Sequence, residues 1–298
     1  MPEIKNIPAS IRQRLLNKAK EENRPFHELL QYYAMERFLY RLSSSPHVSH
    51  FILKGALMLH IWQAPNRRST MDIDLLGKCS NRTEIIIQQI KEIISIEVAD
   101  GVIFEQNILT EFIAEETDYS GVRVQFLAFL DTAKIPMQID IGFGDCIFPM
   151  PEQHYLPTLL NLPAPFLWCY SRESVIAEKL EAMMTLGALN SRMKDFYDVW
   201  FLSRQYSFNG ETLARAIQLT FKQRKTEYTE PIFLSANFVQ QKQSQWMAFR
   251  KRLGNEDYIP EKFEGVVESL KLFLEPILLA LKNEIEFKAQ WKLSRQWE

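Results

Sequence analysis

Cysteine, ordered histidine and long apolar runs are what this chain has least of. Its three cysteines, Cys79, Cys146 and Cys169, are scattered singly, with no CxxC and no zinc-ligand spacing. That excludes a disulfide scaffold and a thiolate metal site. The five histidines, His27, His47, His50, His60 and His154, form no HExxH or other ligand pattern, so each reads as a surface or core residue rather than a metal ligand. No apolar stretch approaches the roughly 18 residues needed to span a membrane. The first residues, MPEIKNIPAS, lack the charged-then-apolar order of a secretion signal. No repeat or low-complexity segment stands out. These absences together predict a globular protein of a reducing cytoplasm with no membrane partner.

The chain has 298 residues, 46% hydrophobic and 24% charged, with a net charge of -2. That is ordinary for a globular protein and suits one large domain or two closely joined ones. The distribution of charge says more than its sum. Residues 50–150 carry 8 basic and 14 acidic groups, whereas residues 1–49 carry 8 and 5, and residues 204–298 carry 15 and 12. An acidic middle between basic ends suits a metal centre reached across cationic surfaces, and equally suits plain solvated faces.

The rest of the chain is organised around residues 51–77, FILKGALMLHIWQAPNRRSTMDIDLLG. A short apolar strand turns at Lys54-Gly55-Ala56 into a short helix over 57–62, followed by a polar loop. The stretch ends in a strand over 71–76, where Asp72 and Asp74 alternate with apolar residues. Alternate residues of a strand share a face, so the two carboxylates project together. Adjacent carboxylates repel unless a cation lies between them, and hard oxygen ligands select magnesium or manganese.

Periodicity predicts helices over 8–22 and 26–42 ahead of this stretch. On the second, Arg37 and Arg41 share a face and read as solvent-facing or paired to Glu36, or as reaching a polyanion. An amphipathic helix follows over 81–98. Strand-like runs then cover 102–116, 122–130 and 135–143, with a turn at Thr132-Ala133-Lys134. In the last run Met137, Ile139 and Ile141 take one face, and Gln138 and Asp140 the other. Prolines 149, 151, 157, 163 and 165 mark residues 145–170 as an extended connector and a domain boundary. Beyond it helices are expected over 173–186, 190–205, 210–222, 238–253 and 261–285. The fold class is therefore α+β: a mixed-sheet core with N-terminal helices (1–150) and a helical C-terminal half (151–298).

Gly55-Ala56, Asp72, Asp74 and Asp140 form an ordered set. Three carboxylates on neighbouring strands can hold divalent cations, which position a nucleoside triphosphate and lower the pKa of an attacking hydroxyl. Backbone N–H groups of the glycine turn can meet phosphate. In the C-terminal half, Lys222, Arg224 and Lys225, and Arg250, Lys251 and Arg252 beside Trp246, read either as RNA contacts or as helix surface with a core tryptophan.

This order resembles the polymerase-β-like nucleotidyltransferase superfamily, and within it the AbiE-type nucleotidyltransferase toxins. The resemblance rests on ERFLYRLSSS, FILKGALML, RRSTMDIDLL, MQIDIGFGD, SRESVIAEKLEAMM and NSRMKDFYDVWFL, and covers residues 10–203. Ala56 departs from it, since the family usually has Gly or Ser there, so any hydroxyl contact to phosphate is lost. The resemblance implies that Asp72, Asp74 and Asp140 bind Mg2+ or Mn2+, with Asp140 also at the acceptor hydroxyl. It implies that Lys179 meets the triphosphate and that Lys194, Asp195 and Asp198 form a KDhhDh signature. Their other reading is a helix-to-helix salt bridge. Arg192 and Arg68 are candidates for phosphate or base. Glu178 and Glu181 read as surface or pairing groups.

The family further implies a toxin of a type IV toxin–antitoxin pair in phage defence (abortive infection), with a cognate antitoxin. It implies transfer of NMP from an NTP, GTP being one expectation, to RNA, at the tRNA 3′ end. Two alternatives stand beside this: transfer to a protein side chain, and a nucleotide-binding interaction module without transfer.

Overall fold

The computed structural model describes residues 6–63, 70–114, 120–254 and 257–298. The chain falls into two compact units. The first comprises residues 1–145 and 151–170, and the second residues 146–150 and 171–298.

The first unit opens with α1 (Ile7–Glu21), capped by the Asn6 side chain, and α2 (Phe26–Ser43). Then come β1 (Phe51–Lys54), a 3-10 turn at Gly55–Leu57, α3 (Met58–Ile61) and β2 (Ile73–Gly77). After these follow α4 (Thr83–Ile94), β3 (Val102–Phe104), β4 (Leu109–Ala114), β5 (Ser120–Leu130) and β6 (Ala133–Phe143). The sheet is completed by β7 (Glu152–Tyr155) and β8 (Phe166–Cys169). Its order is β3-β5-β6-β2-β1-β8-β7, with β4 also on β5. The β2–β6 and β1–β8 pairs are parallel and the others antiparallel, so the sheet is mixed.

Strand alternation divides the two faces of this sheet. Ile73 and Leu75, Val122, Val124 and Phe126, and Met137, Ile139 and Ile141 join one core cluster with Tyr33, Phe38 and Leu42 of α2 and Ile86, Ile90 and Ile93 of α4. Asp140, Arg123 and their neighbours take the opposite parity and stay part-exposed.

Four expectations are corrected here. The run over 102–116 holds two strands rather than one, joined through residues 105–108, and its positions 115–116 lie outside the described residues. The proline-rich connector is folded: Pro151, Pro157 and Pro165 bound β7 and β8 without interrupting them, as an amide that cannot donate demands. The β5–β6 turn is the two-residue Asp131-Thr132, since Leu130 pairs with Ala133 and Asp131 takes φ +54°. Finally, Arg37 and Arg41 are buried rather than solvent-facing, and of the alternatives the pairing with Glu36 is the one that Arg37 makes. Arg41 grips Asp100 through Nη1–Oδ2 at 2.7 Å and Nη2–Oδ1 at 3.1 Å. Arg37 pairs with Glu36 at 2.7 Å and donates to the Pro163 carbonyl, while Glu36 accepts the Leu159 N–H. Burial pushes the Glu36 carboxyl up to about 7 in spite of Arg37.

The second unit contains α5 (Arg172–Leu186), α6 (Met193–Gln205), β9 (Phe208–Asn209), α7 (Gly210–Arg224), α8 (Ala236–Arg252), α9 (Phe263–Lys282) and β10 (Gln290–Trp291). Ser171, Asn209 and Ser235 cap α5, α7 and α8 with their side-chain oxygens. The Phe148 carbonyl accepts from the hydroxyls of Ser171 and Ser174, which ties residues 146–150 to the start of α5. The core is aromatic, with Phe263 packed against Phe196, Phe238 and Trp246. The chain is not helical to its end, because β10 pairs antiparallel with β9. Among the described residues, no helix is long and apolar enough to cross a membrane.

Candidate active site

Strand register assembles the acidic site. Lys54 stands opposite Asp74, Asp74 opposite Asp140, Asp140 opposite Arg123, and Arg123 opposite Glu111. Directly opposed residues share a face, so one row across β1, β2, β6, β5 and β4 reads + − − + −. Asp72 lies just ahead of β2, where the Thr70 hydroxyl donates to its Oδ1 at 2.6 Å. Oxygens of Asp72, Asp74 and Asp140 lie within 4.8 Å of one another, and all three residues are partly exposed. Three converging hard oxygen donors fit a magnesium- or manganese-sized cation, and nothing soft enters the set.

The glycine turn is fitted to this row. Gly55 has φ +72°, and a Cβ there would overlap the Asp74 carboxylate and crowd its Cβ as well. Only glycine combines that backbone with that approach. Next to it, the Lys54 ammonium reaches Asp145 at 2.7 Å.

Arg123 is the functional candidate that sequence reasoning missed. Its Nε and Nη2 donate to the two oxygens of Asp140, each at 2.8 Å. These bonds raise the Arg123 pKa, with attraction from Asp140, Glu111 and Asp72 added. The fork fixes the plane of the carboxylate and leaves Oδ1 a second lone pair, while Oδ2 also accepts a long bond from Gln138 at 3.3 Å. The signal was present in the sequence as an arginine in the alternating run VRVQF, on the face that Asp140 also takes.

In the second unit, Lys179 of α5 bonds Asp195 at 2.6 Å and Asp198 at 2.9 Å, both on α6. Arg192 Nε meets the other Asp195 oxygen at 2.6 Å. Burial works to raise the Asp195 pKa, but Lys179, Arg192 and Lys194 outweigh it and hold the carboxyl below its ordinary value. Lys194 is exposed whereas Asp198 is buried. Glu181 is buried and accepts from Arg224, Thr226 and Thr185. Of the C-terminal candidates, Trp246 is fully buried, with its indole N–H on the Pro260 carbonyl, and presents no face to a base. Arg68 lies outside the described residues.

Residues 37–269 match a family of nucleotidyl transferases, described as "Nucleotidyl transferase AbiEii toxin, Type IV TA system". The match covers most of the chain, and the protein belongs to that family: it is a nucleotidyltransferase toxin of a type IV toxin–antitoxin system. No curated protein matches. Two solved Helicobacter pylori structures are similar. JHP933 has a TM-score of 0.46 and 15% identity, over 86% of this chain and 94% of its own. A candidate nucleotidyltransferase has a TM-score of 0.47 and 16% identity, over 86% of this chain and 96% of its own.

Proposed function

We propose that this toxin transfers NMP from an NTP to an acceptor hydroxyl on RNA, at the 3′ end of tRNA, in a reaction that depends on Mg2+ or Mn2+. The observation that carries the reading is the convergence of the Asp72, Asp74 and Asp140 oxygens within 4.8 Å on one sheet face. These residues would hold the cation, which supplies charge neutralisation at the triphosphate and a more acidic acceptor hydroxyl. Gly55 and Ala56 offer backbone N–H groups to the phosphates, from a turn that lies against Asp74. Asp140, oriented by Arg123, takes the hydroxyl proton. The acceptor oxygen bonds to the α-phosphorus, the bond from that phosphorus to the α–β bridging oxygen breaks, and pyrophosphate leaves with its electrons.

In the second unit we propose Lys179 as the cation for the triphosphate, on the strength of the family resemblance. Asp195 and Asp198 restrict its ammonium to one position, and Arg192, half-exposed, is the second candidate for phosphate. GTP is the NTP to try first.

The test is sequencing of RNA 3′ ends after expression of wild type and of Asp74→Ala, alongside transfer of labelled NTP in vitro. Added nucleotides are expected with wild type alone. Unchanged ends in both would overturn the RNA reading, and label on a protein in place of RNA would move the acceptor to a side chain.

A further inference from the structure

Beside the acidic row runs a second row on the same sheet face, and a cavity opens over it. Leu109 stands opposite Gln125, and Gln125 opposite Gln138. The cavity has a volume of about 410 Å³, and Asn107, Gln31 and Met71 also line it. That is within the range of small-ligand sites, roughly 300–1,000 Å³. Gln31 builds one wall firmly, since its buried amide donates to the Met71 and Pro136 carbonyls at 3.0 and 2.9 Å. Leu109 and Met71 expose apolar surface at the rim, 61% and 48% accessible.

A chain of amides connects this cavity to the triad. Gln125 donates to Gln138 at 3.4 Å, and Gln138 donates to Asp140 at 3.3 Å. Both bonds are long, so a ligand can replace them at little cost. Each amide offers a donor and an acceptor side by side, the pattern that reads the edge of a nucleobase. Leu109 and Met71 supply apolar surface for the face of a ring. The one formal charge among the described lining residues is Glu105, which is negative and repels phosphate.

We infer that this cavity is the acceptor subsite, taking the terminal nucleoside of a single-stranded RNA so that its ribose hydroxyl lies at Asp140. The inference rests on the transfer reading above and adds where the acceptor base binds. The base lies on Leu109 and Met71, its edge takes the amides of Gln125 and Gln138, and the Gln138–Asp140 bond opens towards the hydroxyl.

The test uses the full chain with Mg2+ and a single-stranded RNA oligonucleotide ending in 3′-terminal 4-thiouridine. Near-ultraviolet irradiation is followed by peptide mapping. Adducts are expected on peptides carrying Leu109, Gln125 or Gln138. Leu109→Trp, which fills the cavity from an exposed strand position, should lower their yield about tenfold, the loss of roughly one stacked base. NTP binding by that variant should stay unchanged. Gln125→Ala is the second variant should the tryptophan disturb β4, with a severalfold loss of adduct expected.

Adducts confined to other peptides, or yields that neither variant lowers, overturn the subsite. Transfer is read separately. Labelled RNA whose formation neither variant slows would leave the transferase reading intact and remove the subsite. Adducts at the cavity with no RNA labelled by wild type would support the subsite and count against the transfer reading.

Discussion

In the first unit Asp72, Asp74 and Asp140 bring three part-exposed carboxylates within 4.8 Å of one another. In the second unit Lys179 is clasped between Asp195 and Asp198, both buried. The first cluster gathers like charges, with Lys54 and Arg123 on either side of Asp74 and Asp140 in its row. The second is an alternation of opposite charges closed over by helix packing. Like charges held together lower stability, and their convergence makes sense where a cation is to be bound. Opposite charges taken out of water must stay paired or leave an uncompensated ion in the interior. The contrast teaches that two acidic motifs with equal claims in the sequence carry different physical obligations. Substitutions separate them.

The largest expected effect is at Asp74. Asp74→Ala should lower NMP transfer on the order of a thousandfold or more, while the melting temperature holds or rises because a like-charge contact is relieved. A large fall in melting temperature would break the contrast. At Asp195 the order should reverse, with stability hit first. Asp195→Ala should cost about 3 kcal/mol in urea unfolding, at the lower end for a buried pair because Asp198 still faces Lys179. The Asp195 carboxyl is held below its ordinary value of 3.8. Its stabilisation is therefore fully present above about pH 4 and lost as pH falls through the lowered folded value. A wild-type stability curve parallel to that of the variant across that window would contradict this.

Gly55→Ala should do both kinds of damage at once. Forcing a Cβ into a positive-φ position costs about 1–3 kcal/mol, and displacing Asp74 should lower transfer further, measured on the same preparation. The smallest effect sharpens the first cluster. Arg123→Gln removes a cation beside Asp140, so Mn2+ binding followed by electron paramagnetic resonance should tighten by about three- to tenfold as transfer slows. Arg123→Lys should return the Mn2+ affinity without the rate, because an ammonium cannot reproduce the fork. Equal Mn2+ affinity in all three proteins would remove Arg123 from the site.

Much of this was legible in the residues. Apolar spacing marks α1, α2 and α4–α9 within a few positions, and alternation marks β5 and β6. The order Gly55, Asp72, Asp74, Asp140 is enough to gather the triad. Arg123 was lost to a single turn. A turn centred on Ala133 sets Phe126 opposite Asp140, whereas the Asp131-Thr132 turn sets Arg123 there. Register propagates any such displacement along the whole strand. The solvent-facing alternative for Arg37 and Arg41 failed for another reason, while the Arg37–Glu36 pairing held. Hydropathy sees the guanidinium but not Asp100 and the backbone carbonyls that satisfy it in the interior. Strands β7 and β8 hid among prolines, which read as breaks when they are borders. Trp246 shows the converse: a basic run beside a tryptophan resembles a nucleic-acid contact until its ring is found in the core.

Gly55 has a consequence in genetics as well as geometry. Every missense change of a glycine codon adds a Cβ, and here a Cβ meets both a positive φ and the body of Asp74. On the proposed transfer mechanism, one base change at that codon should silence the toxin and leave the rest of the gene readable. Among survivors of toxin expression, codon 55 should recur as an inactivating position.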